Sequence, residues 1–399
     1  MKKIRFALTG ATGLVGMNLL WEIIKNNISR LDNIEIFILG RGKENKSLFK
    51  RIEERLRNDG IYYISLEKNQ REKVLASLNT FCHFIEYDFV ELNGRISNED
   101  KKSLSCAPID FFYHIGASTD LRGGNLVESV LLRTNVQGTQ NILNLVAQLK
   151  VGLFSYVGTA YSCGEGLGDV DPNYINIRQS FRNPYERTKL LSEIIVREFA
   201  RESGVRFKVF RPSVVGGRLT EHPIGSVNKF DVFYGWTAFF LAMKKKRIND
   251  HSRLYIDPIN LDMRICFNKE SGLNIVPVDY IAKAMYLITT KEIKGNSYHL
   301  VSKNELLHRD YIPAILNFVN VKGVQYIDDI PERKNQNEVF YYRTAGKILT
   351  PYIMSKPINL KVDNYEKEIN ALGISVPRMT VDKFILMLEY AKKYNFGIS

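Results

Sequence analysis

The stretch Gly10-Ala11-Thr12-Gly13-Leu14-Val15-Gly16 decides the fold of this 399-residue chain. It directly follows an apolar run over residues 4–8, which predicts a strand, and it opens a segment whose apolar residues recur at helical spacing. Glycines at these positions permit a tight turn, a close approach of the backbone to a ligand, and close packing of helix on strand. The unpaired N–H groups at the start of the helix favour an anion. The stretch therefore predicts a cradle for the pyrophosphate of a dinucleotide.

Strand and helix patterns alternate through the first half of the chain. Short apolar runs predict strands, and the longer amphipathic segments between them predict helices. This alternation is typical of an α/β protein with a parallel, doubly wound sheet, in which ligands bind at the carboxyl ends of the strands. The later predicted strands are 34–39, 84–87, 111–114, 153–157 and 207–210, and the predicted helices include 43–58, 126–149 and 185–202.

The alternation breaks down after residue 215 and returns briefly at 274–279. We therefore expect residues 1–215, completed by 273–302, to form the dinucleotide-binding domain. Residues 216–272 and 303–399 are expected to form a smaller, mostly helical substrate-binding region.

The composition indicates a cytoplasmic enzyme with a large core, since 45% of the residues are hydrophobic and 25% are charged. No apolar stretch reaches the roughly 18 residues of a membrane span, and we expect no signal peptide before the first strand. Four scattered cysteines predict reduced thiols and no metal site. The net charge of +13 favours acidic partners. We expect no nucleic-acid partner and at most peripheral membrane contact.

A proton-transfer pair is predicted at Tyr185 and Lys189, which share a helix face because they are four residues apart. A nearby cation lowers the pKa of a tyrosine, ordinarily about 10, by about 1–3 units, which makes Tyr185 a candidate proton donor. The alternative is that Tyr185 and Lys189 are merely a tyrosine and a lysine on a helix surface, since a single Tyr-x-x-x-Lys is common in a chain with 21 tyrosines. Thr159, at the end of a predicted strand, favours catalysis because its hydroxyl can hold a substrate carbonyl against the phenol.

Further segments follow the glycine turn in a fixed order. They are Asp88 after a predicted strand, Asn135-Val-Gln-Gly-Thr139, residues 185–189, Arg211-Pro-Ser213 and Val276-Pro-Val-Asp279. With the G-x-x-G-x-x-G spacing of the turn, this order resembles extended short-chain dehydrogenase/reductases over about residues 3–300. Three shorter stretches resemble, more loosely, thioester reductase domains and fatty acyl-CoA reductases: Gly158-Thr-Ala-Tyr161, Asn183-Pro-Tyr-Glu186 and Thr350-Pro-Tyr352.

The resemblance implies a Rossmann fold and a catalytic set of Thr159, Tyr185 and Lys189, with Lys189 also binding the nicotinamide ribose. Gly158 stands where those reductases usually have serine. It implies cofactor contacts at Gly10, Thr12, Gly13, Leu14, Val15, Gly16, Arg41, Arg51, Asp88, Phe89, Ala117, Asn135, Tyr185, Lys189, Pro212 and Val214. It implies substrate contacts at Ser118, Tyr161, Tyr234 and Trp236.

Two polar residues in these segments keep two interpretations. Asn135 either supports a proton relay or braces a helix, and His114 at a strand end either lines the cofactor or is a satisfied interior histidine.

NADPH is the expected cofactor, because the second predicted strand ends in Gly40-Arg41-Gly42-Lys43 without an acid. NAD-dependent enzymes usually place Asp or Glu there for the ribose 2′-hydroxyl, whereas a 2′-phosphate needs a cation. Arg41 is the main candidate, since a planar guanidinium suits both phosphate and ring stacking. Arg51 or Arg55 on the following helix can add a contact, the alternative being solvated helix charges.

An aromatic stretch at 234–243, followed by the basic run 244–247, suggests an acyl tunnel whose basic end meets a phosphopantetheine or CoA phosphate. Ordinary core with a solvated basic cap and a helix on lipid are the alternatives.

The sequence thus predicts an NADPH-dependent reductase of lipid metabolism that converts an acyl-CoA or acyl-carrier-protein thioester to an aldehyde, or onward to an alcohol. The rivals are a nucleotide-sugar epimerase or dehydratase, a hydroxysteroid-type dehydrogenase and a cofactor-binding regulator.

Overall fold

The computed structural model of the protein describes residues 3–43, 45–64, 67–165 and 168–398. The strands are β1 (Ile4–Thr9), β2 (Ile34–Gly40), β3 (Cys82–Glu86), β4 (Ile109–His114), β5 (Val151–Val157), β6 (Asp169–Val170), β7 (Phe207–Pro212), β8 (Val214–Gly216), β9 (Ile259–Cys266), β10 (Gly272–Leu273), β11 (Ile275–Pro277), β12 (Ser297–Leu300), β13 (Leu306–Leu307), β14 (Val321–Ile327) and β15 (Asn359–Leu360).

The α-helices lie between these strands and extend to the end of the described chain. They are α1 (Leu14–Asn26), α2 (Leu48–Arg55), α3 (Ile61–Tyr63), α4 (Lys68–Ala76), α5 (Leu78–Phe81), α6 (Asn98–Ser105), α7 (Asn125–Leu131), α8 (Gly138–Val146), α9 (Pro184–Ser203), α10 (Phe233–Lys245), α11 (Val278–Thr290), α12 (His308–Phe318), α13 (Gln336–Arg343), α14 (Ala345–Ile353), α15 (Glu366–Ala371) and α16 (Val381–Lys392).

Seven strands form the central sheet in the order β12-β7-β5-β4-β1-β2-β3. Every neighbouring pair runs parallel, with Ile4 of β1 opposite Ile34 of β2 and Phe6 opposite Phe111 of β4. The chain builds outward from β1 through β2 to β3, then returns to β4 on the other side of β1. This doubly wound Rossmann sheet confirms the predicted fold class, and its strand order reverses between β1 and β4.

Helices cover both faces of the sheet, which explains the nearly continuous apolar sequences of β1 and β2. On one face, Phe6 and Leu8 pack with Ile23 of α1 and Met285 of α11. On the other face, the alternate residues of the same strands pack against α6, α8 and α9.

A second hydrophobic cluster lies in the chain beyond β8. It joins Phe233 and Trp236 of α10 to Tyr311 of α12 and Phe384 of α16, together with the parallel pair β9 and β14. The domain boundaries proposed from the sequence stay a prediction. No helix within the described ranges is both long and apolar enough to cross a membrane.

Two predicted helices differ from those observed. The helix expected over 43–58 begins only at Leu48. The backbones of Lys43 and Lys46 form an isolated antiparallel β-bridge, and Ser47 caps the helix by accepting from Lys50 N at 3.3 Å. The helix expected over 126–149 is divided into α7 and α8 by a wider π-helical segment at Leu132–Gln137. A hydrophobic pattern does not distinguish these two helix types, so the sequence predicted one element.

The glycine turn leaves no room for larger residues. Gly10 has a φ of +74°, and a Cβ there would lie 2.6 Å from Gly116 N. A Cβ on Gly16 would lie 2.3 Å from the Gly10 carbonyl oxygen. β1, α1 and the turn after β4 can therefore approach one another this closely only because these glycines have no side chain.

We expect Gly16→Ala to destabilise the protein, because its methyl group would push the Gly10 carbonyl away. Overpacking of this kind costs about 1–3 kcal/mol of the free energy of unfolding, which denaturant titration measures. Gly123→Ala is the matched control, since nothing lies within 4 Å of a Cβ there. Equal stability of the two variants would contradict the steric account of the turn.

Candidate active site

A cavity of about 530 Å³ opens at the carboxyl ends of the central strands, where the strand order reverses. The segments that follow β1, β4, β5 and β7 all contribute to its wall. It lies at the position predicted for ligands of a doubly wound sheet. The predicted site residues that line it are Gly10, Thr12, Gly13, Leu14, Val15, Gly16, Phe89, Ala117, Thr159, Tyr161, Tyr185, Lys189, Pro212, Val214 and Trp236.

The glycine turn forms one wall of this cavity and fits a dinucleotide. Gly13 is the N-cap of α1 and has no side chain to accept from the N–H groups of the first turn. The Gly13 N–H donates to the Gly10 carbonyl at 2.9 Å, and this hydrogen bond tightens the turn. The remaining N–H groups, with the positive end of the helix dipole, suit a pyrophosphate.

Thr159 and Tyr185 meet in the wall opposite the turn. Thr159 follows β5 and begins a short 3₁₀ helix at Ala160–Cys163, while Tyr185 lies in the first turn of α9. Asn183 caps α9 by accepting from Glu186 N at 3.1 Å. Burial raises the pKa of Tyr185 to about 12, although a hydrogen bond with Thr159 acts to lower it.

Lys189 lies one helical turn beyond Tyr185 and is almost completely buried. Its Nζ donates to the Val157 carbonyl at 2.7 Å and lies 4.4 Å from the centre of the Tyr156 ring. Burial lowers the pKa of Lys189 to about 7. The direction for Tyr185 is opposite to the lowering expected from the sequence, because desolvation favours the neutral forms of both the phenol and the amine.

Asn135 lies outside the cavity wall and braces the loop that follows β4. Its side chain accepts from Ser118 N at 2.8 Å and donates to Ser118 O at 3.1 Å and to Thr188 Oγ1 at 3.3 Å. Ser118 is thereby fixed between Ala117 and Thr119, both of which line the cavity. The bond to Thr188 also ties Asn135 to α9, and the choice between a proton relay and bracing of a helix stays a prediction.

His114 is a satisfied interior histidine. Its ring lies between Thr9 Oγ1 at 2.8 Å and Thr139 Oγ1 at 3.1 Å. Burial lowers its pKa to about 3, so the ring is neutral at physiological pH. Thr9 Oγ1 also accepts from the N–H groups of Ile115 and Gly116, which ties β1 to the loop after β4.

Arg41, Arg51 and Asp88 form a group beside the glycine turn, outside the cavity wall. Arg41 Nη1 lies 3.3 Å from Asp88 Oδ2, and Arg51 Nη1 donates to the Arg41 carbonyl at 2.6 Å. The Arg41 side chain is 62% exposed, so its guanidinium is accessible to a ligand.

Sequence reasoning missed Glu86, the last residue of β3, which brings an acid to the end of β2. Its carboxylate accepts from Gly42 N at 3.0 Å and Leu48 N at 3.4 Å, so these contacts engage both oxygens. The pairing of β2 with β3 was the signal that could have located it.

The far part of the cavity is apolar and comes from segments distant in sequence. Leu273, Tyr311, Leu349 and Ile353 line it, and the sequence predicted none of them as site residues. Tyr352, in a stretch quoted for the resemblance, also lines it, and its ring meets Tyr161 edge-on at 5.6 Å. These positions carry ordinary core residues, so no local pattern marks them.

The segment before α10 crosses the exposed side of the cavity. Lys229 Nζ donates to Thr119 Oγ1 at 2.6 Å and pairs with Asp231 at 2.5 Å. Val232 has a φ of +51°, which a β-branched residue rarely adopts. These residues were also missed, since their arrangement depends on tertiary contacts.

Two expectations for α10 require correction. Tyr234 is buried and accepts from Gly217 N at 3.1 Å instead of lining the cavity with Trp236. Lys244 is buried and donates to the Val319 carbonyl at 2.7 Å, so it cannot meet a phosphate. The basic run begins at the opposite end of α10 from the cavity, where Lys244 is about 12 Å along the helix from Trp236 at 1.5 Å per residue.

Comparisons with known proteins agree with this geometry. Among curated proteins, the chain is 24% identical over 334 residues to the L-2-aminoadipate reductase large subunit of Candida glabrata, covering 79% of this chain and 21% of that protein. It is 23% identical over 275 residues to the dTDP-D-glucose 4,6-dehydratase of Dictyostelium discoideum, covering 64% of this chain and 58% of that protein. The chain thus spans about a fifth and somewhat over half of these two relatives.

Two solved structures share the fold over nearly the whole chain. The terminal R domain of the myxalamid PKS-NRPS biosynthetic pathway has a TM-score of 0.70 at 20% identity, covering 99% of this chain and 92% of that one. A thiolation-reductase di-domain from an archaeal non-ribosomal peptide synthetase has a TM-score of 0.67 at 18% identity, with the same coverage.

The family model described as Male sterility protein matches residues 8–285, which include the glycine turn, the Thr159, Tyr185 and Lys189 set and β11. That span is well over half of the chain. The chain therefore belongs to this NAD-binding family of extended short-chain dehydrogenase/reductases and is an oxidoreductase.

Proposed function

We propose that the protein is an NADPH-dependent reductase that converts an acyl thioester to an aldehyde. The observation that carries this proposal is the continuity of one cavity. The glycine turn, Tyr185 with Thr159, and an apolar chamber around Trp236 all line it. A cofactor, a proton donor and an acyl chain can therefore meet at one carbonyl.

The chain's own residues would hold and protonate that carbonyl. Bound dinucleotide would supply a hydride to the carbonyl carbon. The hydroxyls of Thr159 and Tyr185, which both line the cavity, would donate to the carbonyl oxygen as it gains negative charge. Tyr185 would give up its proton, and Lys189 as an ammonium would stabilise the resulting phenolate. The hemithioacetal would then release a thiol and leave an aldehyde, and a second reduction would give an alcohol.

The character of the chamber supports an acyl substrate. Its far wall consists of Leu273, Leu349, Ile353 and aromatic rings. The charged side chains among its lining residues are Lys189, Lys229 and Asp231, which belong to the reaction centre and the exposed side. An apolar chain loses unfavourable contact with water in such a chamber.

Arg41 and Arg51 support NADPH over NADH. The guanidinium of Arg41 lies beside the turn that would hold the pyrophosphate, and Glu86, the nearby acid, is engaged by backbone N–H groups. A ribose 2′-phosphate would meet the guanidinium of Arg41 there, in place of or beside the Asp88 carboxylate that now lies 3.3 Å from it.

A nucleotide-sugar dehydratase is the second candidate, favoured by the similarity to the Dictyostelium dehydratase. Purified protein incubated separately with NADPH plus acyl-CoA thioesters, and with NAD⁺ plus dTDP-glucose, distinguishes the two. Oxidation of NADPH by thioesters supports the reductase. Conversion of the sugar nucleotide without any thioester reduction would replace our proposal.

Arg41→Ala should weaken NADPH binding by about tenfold, the scale of one charge-assisted contact, and leave NADH binding nearly unchanged. Cofactor fluorescence titration measures both dissociation constants. Arg57→Ala is the control, because Arg57 pairs with Glu53 at 3.4 Å and is about as exposed. Equal losses for NADPH and NADH in Arg41→Ala would contradict a 2′-phosphate contact.

Tyr185→Phe should lower kcat by about a hundredfold to ten-thousandfold, the usual contribution of a general acid, with NADPH affinity retained. Steady-state kinetics at saturating NADPH measure the loss. Tyr286→Phe removes a hydroxyl of α11 that accepts from Asn27 at 3.4 Å, and it should leave kcat unchanged. Undiminished kcat in Tyr185→Phe would show that the proton comes from another group.

The affinity for NADH should fall as the pH rises from 7 to 9. The pKa of Lys189 is lowered to about 7, so the side chain is an ammonium below that pH and mostly neutral above it. If the ammonium binds the ribose, binding above pH 7 requires proton uptake and weakens by up to about tenfold per pH unit. NADH is used for this measurement because it lacks the 2′-phosphate, whose own titration would also change the affinity of NADPH. Lys189→Met should bind weakly at every pH, and an unchanged pH slope in that variant would exclude Lys189 as the titrating group.

A further inference from the structure

Glu193 is a buried carboxylate in the middle of α9 that the proposed reaction does not use. Tyr185, Lys189 and Glu193 follow one another at intervals of four residues, so each side chain lies next to the following one on the helix surface. The Glu193 side chain has no exposed surface and does not line the active-site cavity. A buried charge is costly unless other groups stabilise it, so its partners show what it can do there.

Two arginines hold this carboxylate. Arg211 of β7 donates from Nε to Glu193 Oε2 at 2.9 Å and from Nη2 to Oε1 at 2.8 Å. Arg197, one turn further along α9, donates from Nε and Nη2 to Oε1 at 2.9 and 2.8 Å. A carboxylate between two guanidiniums is stabilised as the anion, and these charge-assisted hydrogen bonds fix its position.

The amine of Lys189 and the carboxylate of Glu193 approach the same stretch of backbone at the end of β5. Lys189 Nζ donates to the Val157 carbonyl at 2.7 Å. A Cβ on the next residue, Gly158, would lie 3.4 Å from Glu193 Oε2. Both oxygens of Glu193 bind arginines, so the carboxylate acts on Lys189 through space, and Coulomb interactions are stronger in a buried site than in water.

Glu193 is the one negatively charged group that acts on Lys189 among the described residues. Burial lowers the pKa of Lys189 to about 7, and Glu193 acts in the opposite direction. The guanidiniums of Arg211 and Arg197 bind the carboxylate itself and partly offset its charge. Burial shifts the pKa of each other titratable group that faces the amine toward its neutral form, and these groups are Tyr156, Tyr185 and His114.

We propose that Glu193 is a positioning residue whose charge favours the ammonium form of Lys189, the form that would bind the ribose of the dinucleotide. The inference adds to the cofactor site a residue that lies outside the cavity and acts through another side chain. It rests on the role of Lys189 in cofactor binding and is independent of the identity of the substrate. Arg197 would tune the same interaction, because it offsets part of the carboxylate charge.

The affinity for NADH, measured by fluorescence titration from pH 5.5 to 9, tests this role. In wild type the dissociation constant should rise above about pH 7 as Lys189 loses its proton. Glu193→Gln keeps the shape and an acceptor for Arg211 but removes the charge. It should move the start of this rise to lower pH by about one pH unit, which weakens binding by about fivefold at pH 7 and hardly at pH 5.5. A disturbed fold would instead weaken binding at every pH.

Arg197→Gln provides the opposite change. It removes a cation that offsets the Glu193 charge, so the rise in the dissociation constant should move to higher pH. The Arg197 side chain is 22% exposed, so this variant is expected to fold. Glu202→Gln is the matched control, since it removes a carboxylate of the same helix that is 73% exposed, and the pH profile should stay unchanged.

Opposite shifts in Glu193→Gln and Arg197→Gln support the inference. Unchanged profiles, or shifts of both variants in the same direction, would overturn it, as would a wild-type affinity that does not vary with pH. If Glu193→Gln does not fold, the direction of the shift in Arg197→Gln decides alone. A protein that binds NADH in this way but reduces no thioester would refute the proposed reductase and leave the role of Glu193 standing.

Discussion

The contact between the Gly10 carbonyl and Gly16 is the constraint on which the rest of the structure depends. It holds the first strand against the first helix, and Gly10 in turn meets the backbone of Gly116 beyond β4. Strand β1, helix α1 and the loop after β4 are thereby joined through backbone contacts, without side chains between them. The cleft opens at this junction because β1 and β4 lead in opposite directions across the sheet. The same absence of side chains lets a pyrophosphate approach the N–H groups of α1.

Desolvation is the dominant electrostatic effect at the opposite wall. It lowers the pKa of Lys189 and raises that of Tyr185, so both groups are pushed toward their neutral forms. The sequence showed only that the two side chains share a helix face. How deeply α9 packs against β5 is a tertiary property, and it reverses the expected shift of the phenol.

Local chemistry explains which features the sequence could predict. The glycine turn, the buried strands and the spacing of Tyr185 and Lys189 are each encoded within a few adjacent residues, and the structure has the predicted sheet with these groups on one cavity. The chamber residues Leu349 and Ile353 lie far along the chain and have no pattern apart from that of an ordinary core helix. The burial of Lys244 could not be anticipated either, because the Val319 carbonyl that accepts from it lies 75 residues away.

The raised pKa of Tyr185 is compatible with a reductase. A proton donor must keep its proton until the carbonyl oxygen gains charge, and a buried phenol with a pKa of about 12 does so at every physiological pH. Its acidity must then increase when the reaction occurs, because proton transfer is most effective when the donor pKa is close to the operating pH. Lys189 can provide that change, since a neutral amine that becomes an ammonium beside bound dinucleotide would stabilise the phenolate. Under the proposed function, binding of the dinucleotide would therefore place the hydride donor in the cleft and also make Tyr185 a stronger acid.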